Sequence, residues 1–348
     1  EKEFARIFQV NFGVRYSHFS NLGPTIVNRY AEGEEKTREN LVERVEIGNN
    51  EVIAAFGGLE PRTSLKIQTT DQSSLKMSFN ITRQYLNQLF NTTAVTPADL
   101  WQMSNTHLEP LYAENYSLGY FFSLNQKKWE NSVEVFYRDI DNIIEYKDIA
   151  DLFLNEFVET ELISATGRAY GLELSIKKNS GRITGRASYT ISRTESRTDG
   201  TRPKERINNN EWFPSNYDRP HDFSLATTLQ FTKRTFASLN FVYSSGRPVS
   251  APTGNITVGN IFNIPIYGSR NNYRIPDYYR LDFSYTIEQS HKKNQKWRSS
   301  WTFSVYNVLG RRNAFSVYFT QRPFQSPEAN RLSVLARPIP SLTYNFNF

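Results

Sequence analysis

Apolar and polar side chains alternate one for one through segment after segment of this chain, and that period decides which folds are open to it. Between residues 279 and 288, Tyr279, Leu281, Phe283, Tyr285 and Ile287 alternate with Arg280, Asp282, Ser284 and Glu288. A period of two puts neighbours on opposite faces of a β-strand, so each such segment is a strand with one apolar face. Trp301, Phe303 and Val305 against Ser300, Thr302 and Ser304 repeat the pattern, as do Tyr170, Leu172, Leu174 and Ile176 against Glu173, Ser175 and Lys177. Others lie at 8–16, 75–81, 116–122, 133–137, 223–231 and 342–348, with less regular strands at 59–69, 183–193 and 236–246. The count is about 12, each near the ~10 residues that a tilted transmembrane strand requires.

The connections come in two kinds. TDQS (70–73), NQKK (125–128), KNSG (178–181), TKR (232–234) and a slightly longer segment near 289–296 are short. Those at roughly 21–53, 84–110, 141–165, 195–219, 247–275 and 309–334 are long. Short and long alternate strictly, as up-and-down strands in a membrane predict, with tight periplasmic turns and long outer loops. A soluble sandwich or propeller also alternates and turns often. It has no reason to keep its long connections at one end, however. Its solvent faces are also usually rich in Lys and Glu, whereas the polar faces here carry Ser, Thr, Asn and Gly with charges of both signs. That suits a wet lumen or a contact with an internal plug. The expected fold is all-β, a transmembrane antiparallel up-and-down barrel. In that fold Leu172, Leu174, Leu281, Phe283, Tyr285, Phe303 and Val305 face lipid, while Glu173, Arg280, Asp282 and Ser304 face the lumen.

A barrel accounts for a composition that otherwise reads as soluble. Mean hydropathy is −0.58 and only 38% of residues are hydrophobic, because only every second strand residue meets lipid. No run of about 18 apolar residues exists, so no transmembrane helix is expected. Without Cys there is neither a disulfide nor a thiolate metal site. The last strand, SLTYNFNF (341–348), alternates onto a terminal phenylalanine. Such a strand resembles the terminal signal of bacterial outer-membrane proteins, read by the barrel-assembly machinery. The resemblance makes Tyr344, Phe346 and Phe348 an assembly signal, with Phe348 in the periplasmic aromatic girdle. The first residues, EKEFARIFQV, open in mid-strand without an initiator Met or a signal-peptide pattern. The chain therefore reads as the C-terminal piece of something longer, and it is not expected to close as a barrel alone.

Seven stretches carry a resemblance to a family. FGGLEPRTSLKI (56–67), SVEVFYRDIDNIIEYKD (132–148), GRAYGLELSIKK (167–178), SYTISRTESR (188–197), NEWFPSNYDRPHDFSLA (210–226), NFVYSSGRPVSAPTG (240–254) and YGSRNNYRIPDYYRLDFSYT (267–286) resemble TonB-dependent outer-membrane receptors, most nearly the Bacteroidota type. The likeness covers nearly the whole chain in the family's order. It implies a barrel of about 22 strands around an N-terminal plug, of which residues 1–348 would be the C-terminal portion. The plug, the coupling segment with its TonB box and about ten strands would lie elsewhere. The implied function is energy-coupled uptake of a scarce solute across the bacterial outer membrane, driven through a TonB-like protein. The alternative is a non-transporting family member that serves as a scaffold or subunit of a larger outer-membrane complex. Implied partners are outer-membrane lipid and lipopolysaccharide, a surface lipoprotein and the barrel-assembly machinery. The long loops select the ligand in this family and vary most, so no ligand-binding residue carries over.

Individual residues add little chemistry. The four histidines, His18, His107, His221 and His291, have no ligand spacing, and each is expected to be a solvated or girdle side chain. His221 shares a face with Phe223 and Leu225 behind Pro220, which reads as strand entry rather than as half of a Ser–His pair. DIDNIIEYKD (139–148) lacks the Gly and Glu of an EF-hand loop, leaving an acidic loop root, with loop calcium a minor reading. The net charge of +6 and basic stretches such as RTDGTRPKER (197–206) come without a base-reading motif. They fit lipopolysaccharide phosphates or an anionic ligand better than nucleic acid. Matches to the N-glycosylation pattern at 80–82, 91–93 and 255–257 carry no weight in a bacterial barrel. No enzyme, cofactor or metal site is expected. A barrel enzyme of about 12 strands would need Ser, His and a carboxylate or carboxamide converging on one face.

Overall fold

The computed structural model describes all residues except 1, 5–6, 90–99, 152–154, 259–261, 290–297, 321–324, 326 and 348. Phe348, His291 and the 91–93 motif therefore lie outside the described residues. Twelve long strands form one antiparallel sheet: β1 (Phe8–Leu22), β2 (Val52–Thr70), β3 (Ser73–Gln84), β4 (Leu111–Leu124), β5 (Trp129–Tyr146), β6 (Leu162–Lys178), β7 (Ile183–Thr198), β8 (His221–Gln230), β9 (Thr235–Ser244), β10 (Tyr278–Glu288), β11 (Arg298–Tyr306) and β12 (Ile339–Asn347). Two short pieces extend it: Lys2–Phe4 on β1 and Phe213–Pro214 on β7. Each long strand pairs with its neighbours in sequence, so the topology is up-and-down without crossovers. The sheet is open, with β1 and β12 unpaired to each other among the described residues.

Register sorts the side chains into two faces. Phe79, Tyr116, Tyr137 and Tyr170 stand directly opposite one another across β3 to β6. One step toward the long connections runs a charged row, Glu114, Asp139, Arg168 and Glu195. One step the other way runs an apolar row, Met77, Leu118, Val135, Leu172 and Ile191. Farther round, Phe283 opposes Leu239 and Val305, and Tyr285 opposes Ala237 and Phe303. Along the apolar rows no described residue covers this face: Phe12 is 73% exposed and Leu342 66%. A soluble sandwich would bury such residues in its core. The other face is tied by hydroxyls. Thr228, Ser238, Ser284, Ser304 and Ser341 form one row across β8 to β12, with bonds of 3.0 Å from Thr228 to Ser238 and 2.6 Å from Ser304 to Ser341.

Several strands run longer than their patterns suggest, among them β1, β4 and β6, and in two the backbone shows why. β5 was expected to stop near 140 but continues to Tyr146, through a bulge between Ile140 and Ile143 where Asn142 takes a left-handed φ of 60°. The extra residue breaks the period without ending the ladder. β2 begins at Val52 rather than 59, because Gly57, Gly58 and Pro61 interrupt the alternation while pairing with β1 continues.

The long connections have structure of their own. Hairpins form from Thr25–Tyr30 with Leu41–Ile47, Leu86–Leu89 with Leu100–Met103, Pro252–Val258 with Phe262–Tyr267, and Ala314–Thr320 with Glu328–Ser333. Most of the fully buried apolar side chains sit in these connections, including Ile207, Phe213, Val249, Ile275 and Val317. The conventional packed core is therefore at the loop end, while the strands keep their apolar face bare.

Candidate functional site

The polar face of the sheet holds carboxylates in two kinds of setting. Some are satisfied. Glu60 is fully buried, forms an ion pair with Arg15 Nε at 2.8 Å and accepts a hydrogen bond from the Ser17 hydroxyl at 2.8 Å. Arg280 donates to Asp282 at 2.9 Å and to the Tyr306 hydroxyl at 2.9 Å. Others are not. Glu134 on β5 stands directly opposite Glu173 on β6. Like charges directly opposed destabilise a sheet, and no ion pair reaches either one among the described residues. Gly119 is next in the same row, and a Cβ there would lie 2.8 Å from Glu134 Oε2. The pair borders a hollow of about 440 Å³ that also meets Ser78, Asn115, Phe136 and Arg138. Two carboxylates arranged this way can accept an ammonium or guanidinium group. No cluster of three or more metal-ligating side chains exists among the described residues.

The loop end is locked by buried charge. Arg270, 4% exposed, places Nη1 3.3 Å from Glu145 and donates through Nη2 to Asp148 and to the Tyr146 carbonyl, each at 2.8 Å. Its guanidinium lies over the Tyr146 ring at 4.3 Å. The next residue, Asn271, has a left-handed φ of 57° and donates to Pro214 O at 2.7 Å and Asn216 Oδ1 at 2.8 Å. Asn and Asp tolerate that backbone region better than most residues. Residues 270–271 thus clamp the end of β5 to the connection between β7 and β8. The stretch 139–148, expected to be an acidic loop root, supplies the carboxylates of this clamp.

A second knot joins the first three long connections. Glu159 accepts from Asn28 Nδ2 and from the Tyr30 hydroxyl, both at 2.7 Å. Lys147 pairs with Glu35 at 2.7 Å, and the Arg38 and Arg44 guanidiniums lie over Phe157. Burial and the bond to Glu159 raise the Tyr30 phenol's pKa. Burial lowers that of Lys36. His107 corrects the expectation of a solvated or girdle histidine: its Nε2 lies 2.8 Å from Asn28 O, and its ring meets Tyr30 edge-on at 5.8 Å. Its pKa is held below the ordinary histidine value, by burial first and then by the Lys36 charge. A cavity of about 350 Å³ beside it is lined by Trp101, Asn28 and Glu159 among others. His18 stays exposed beside Ser20 at 3.1 Å. His221 lies on the apolar face, stacked on Tyr189 with Nδ1 2.8 Å from its hydroxyl. No local signal announces Arg270 or Glu159, since their partners lie over a hundred positions away.

The profile of the family described as "TonB dependent receptor-like, beta-barrel" matches residues 4–308. No curated protein matches the sequence. Among solved structures, the ferric yersiniabactin uptake receptor FyuA from Yersinia pestis superposes with a TM-score of 0.58 at 13% identity, over 98% of this chain and 43% of its own. The FrpB iron transporter from Neisseria meningitidis gives 0.56 at 12% identity, over 98% and 42%. The ferripyoverdine receptor of Pseudomonas aeruginosa gives 0.53 at 14% identity, over 87% and 34%. The chain thus spans less than half the length of each, and at these identities the likeness is one of fold.

Proposed function

Since this chain belongs to the TonB-dependent receptor-like β-barrel family, we propose that it is the C-terminal part of a plugged outer-membrane barrel of the Bacteroidota type that imports a scarce solute by energy coupling. The family consists of outer-membrane receptors and transporters rather than enzymes, and its members work with TonB-like energy-coupling proteins. Plugged transporters of this kind have about 22 strands, so the twelve long strands would make up a little over half of the wall. The observation that carries the proposal is the two-faced sheet: bare apolar rows on one side, hydroxyls and charges on the other, with short turns at one end and interlocked loops at the other. On this reading Leu172, Leu174, Leu281, Phe283, Tyr285, Phe303 and Val305 meet lipid, and Glu173, Arg280, Asp282 and Ser304 line the lumen. The Glu134–Glu173 pair would take a basic side chain from the plug. Coupling would run through an N-terminal segment, the loops would meet lipopolysaccharide or a surface lipoprotein, and Tyr344, Phe346 and Phe348 would address the strand for assembly.

Medium depletion tests the function. Parent, deletion and TonB-deletion strains are grown on one defined medium, and solute loss is followed by mass spectrometry. At least one solute should be depleted by the parent and by neither deletion strain. Identical depletion in all three would refute coupled import, and a surface complex retained without any uptake would favour the scaffold role.

A further inference from the structure

The net charge of +6 is not spread evenly over the molecule. The four described short turns, taken with two residues on either side, carry Lys127, Lys128, Lys177, Lys178, Arg182, Lys233 and Arg234 against Asp71 and Glu130. Those seven bases and two acids leave +5 at the short-turn end. At the opposite end, the connection 23–51 has four basic and seven acidic residues, and 147–161 has one and five. The short-turn end is therefore basic, while these two loops at the other end are acidic. Lys177 is partly neutralised by Glu130 at 3.3 Å. Lys127, Lys128, Arg182, Lys233 and Arg234 are exposed, and none forms an ion pair among the described residues.

Two further observations indicate what these cations face. They lie in three successive turns, between β4 and β5, β6 and β7, and β8 and β9, so they follow the rim rather than gather in one footprint. Interfacial aromatics accompany them on the apolar face at the same end. Trp129 stands opposite Lys178, whose Nζ lies 5.2 Å from the ring centroid. Phe231 lies 6.0 Å from Tyr285, and Trp301 4.6 Å from Tyr344. A lysine stem laid against an interfacial ring, with its ammonium directed to water, is how long cations reach headgroups at a bilayer boundary.

We propose that the short-turn rim is a binding surface for the anionic headgroups of phospholipids in the leaflet it meets. This rests on the membrane-spanning reading above. A rim of cations matches an annulus of phosphates, whereas a soluble acidic protein would call for a compact patch without interfacial rings.

Trp129 provides the probe. In the full-length protein, every tryptophan other than Trp129 is replaced by Phe, including Trp101, Trp212, Trp297 and Trp301. The protein is placed in phosphatidylcholine vesicles with a minority of phosphatidylglycerol, and one lipid or the other carries brominated acyl chains. At equal mole fraction, brominated phosphatidylglycerol should quench Trp129 about two-fold more than brominated phosphatidylcholine at low salt. The difference should vanish at ~0.5 M salt, where the Debye length is short. It should also vanish in the Lys127→Gln, Lys128→Gln, Arg182→Gln, Lys233→Gln, Arg234→Gln variant, with strand content by circular dichroism unchanged. Equal quenching by both lipids in the parent would overturn the proposal while leaving the membrane reading intact. Quenching by neither would overturn both. Preference kept by the variant, together with loss of an acidic periplasmic protein that the parent retains, would assign the rim to a protein instead.

Discussion

Replacing Arg270 with Ala should open the loop end while leaving the strands intact. The side chain is 4% exposed and Glu145 8%, so the change strands a carboxylate in a buried site. Breaking a buried pair from one side costs about 3–5 kcal/mol. The bond to the Tyr146 carbonyl adds roughly 1 kcal/mol, whereas Asp148, 70% exposed, contributes little. The cost falls on contacts between connections, because no strand pairing passes through Arg270. A local penalty of about 3–5 kcal/mol raises the open population by roughly two to nearly four orders of magnitude. Hydrogen exchange read by mass spectrometry resolves this. Peptides over 145–149, 207–216 and 268–274 should exchange about a hundred-fold faster or more, while those of β8 and β9 keep the parent rate. Arg270→Leu combined with Glu145→Leu should recover much of the protection, since a hydrophobic pair of similar volume replaces the ion pair. Parent-like exchange of the loops in Arg270→Ala, or equal acceleration in β8 and β9, would refute the clamp.

Phe283→Arg should cost about 2–4 kcal/mol near the bilayer midplane, measured by denaturant unfolding in vesicles, while Asp282→Asn on the other face costs much less. Acidification should loosen the packing around His107. Its pKa in the fold lies below the free value, so the stability it contributes is present above about pH 6.5 and is lost as pH falls through the folded pKa. Acrylamide quenching of a protein with Trp101 as its only tryptophan should therefore rise as pH falls below about 6.5, and His107→Gln should flatten that rise. Phe348→Ala removes at most the roughly 3–5 kcal/mol of a buried phenylalanine and no backbone bond. The full-length variant should refold in detergent like the parent yet reach the outer membrane poorly, and normal membrane levels in cells would contradict the signal reading.

Strand positions were legible in the sequence because a strand's period is local. Tyr279 to Ile287 announce β10 without any reference to their partners, and the strict exchange of short and long connections sets the up-and-down order. The pattern fell short of several strand ends, and at the Asn142 bulge and around Gly57, Gly58 and Pro61 the reason is visible: an inserted or featureless residue interrupts alternation without ending the ladder. Lateral pairing is another matter. Nothing near Glu134 in the chain says that Glu173 will stand across from it, and an arginine in YGSRNN carries no period to tie it to Glu145. Nor does His107 show in sequence that Asn28 will receive its ring nitrogen. Side-chain period is a property of one segment and can be read in place. Opposition across a ladder, and burial among loops, depend on how far each strand slides before the next turn fixes it. That is decided only when all the segments pack together.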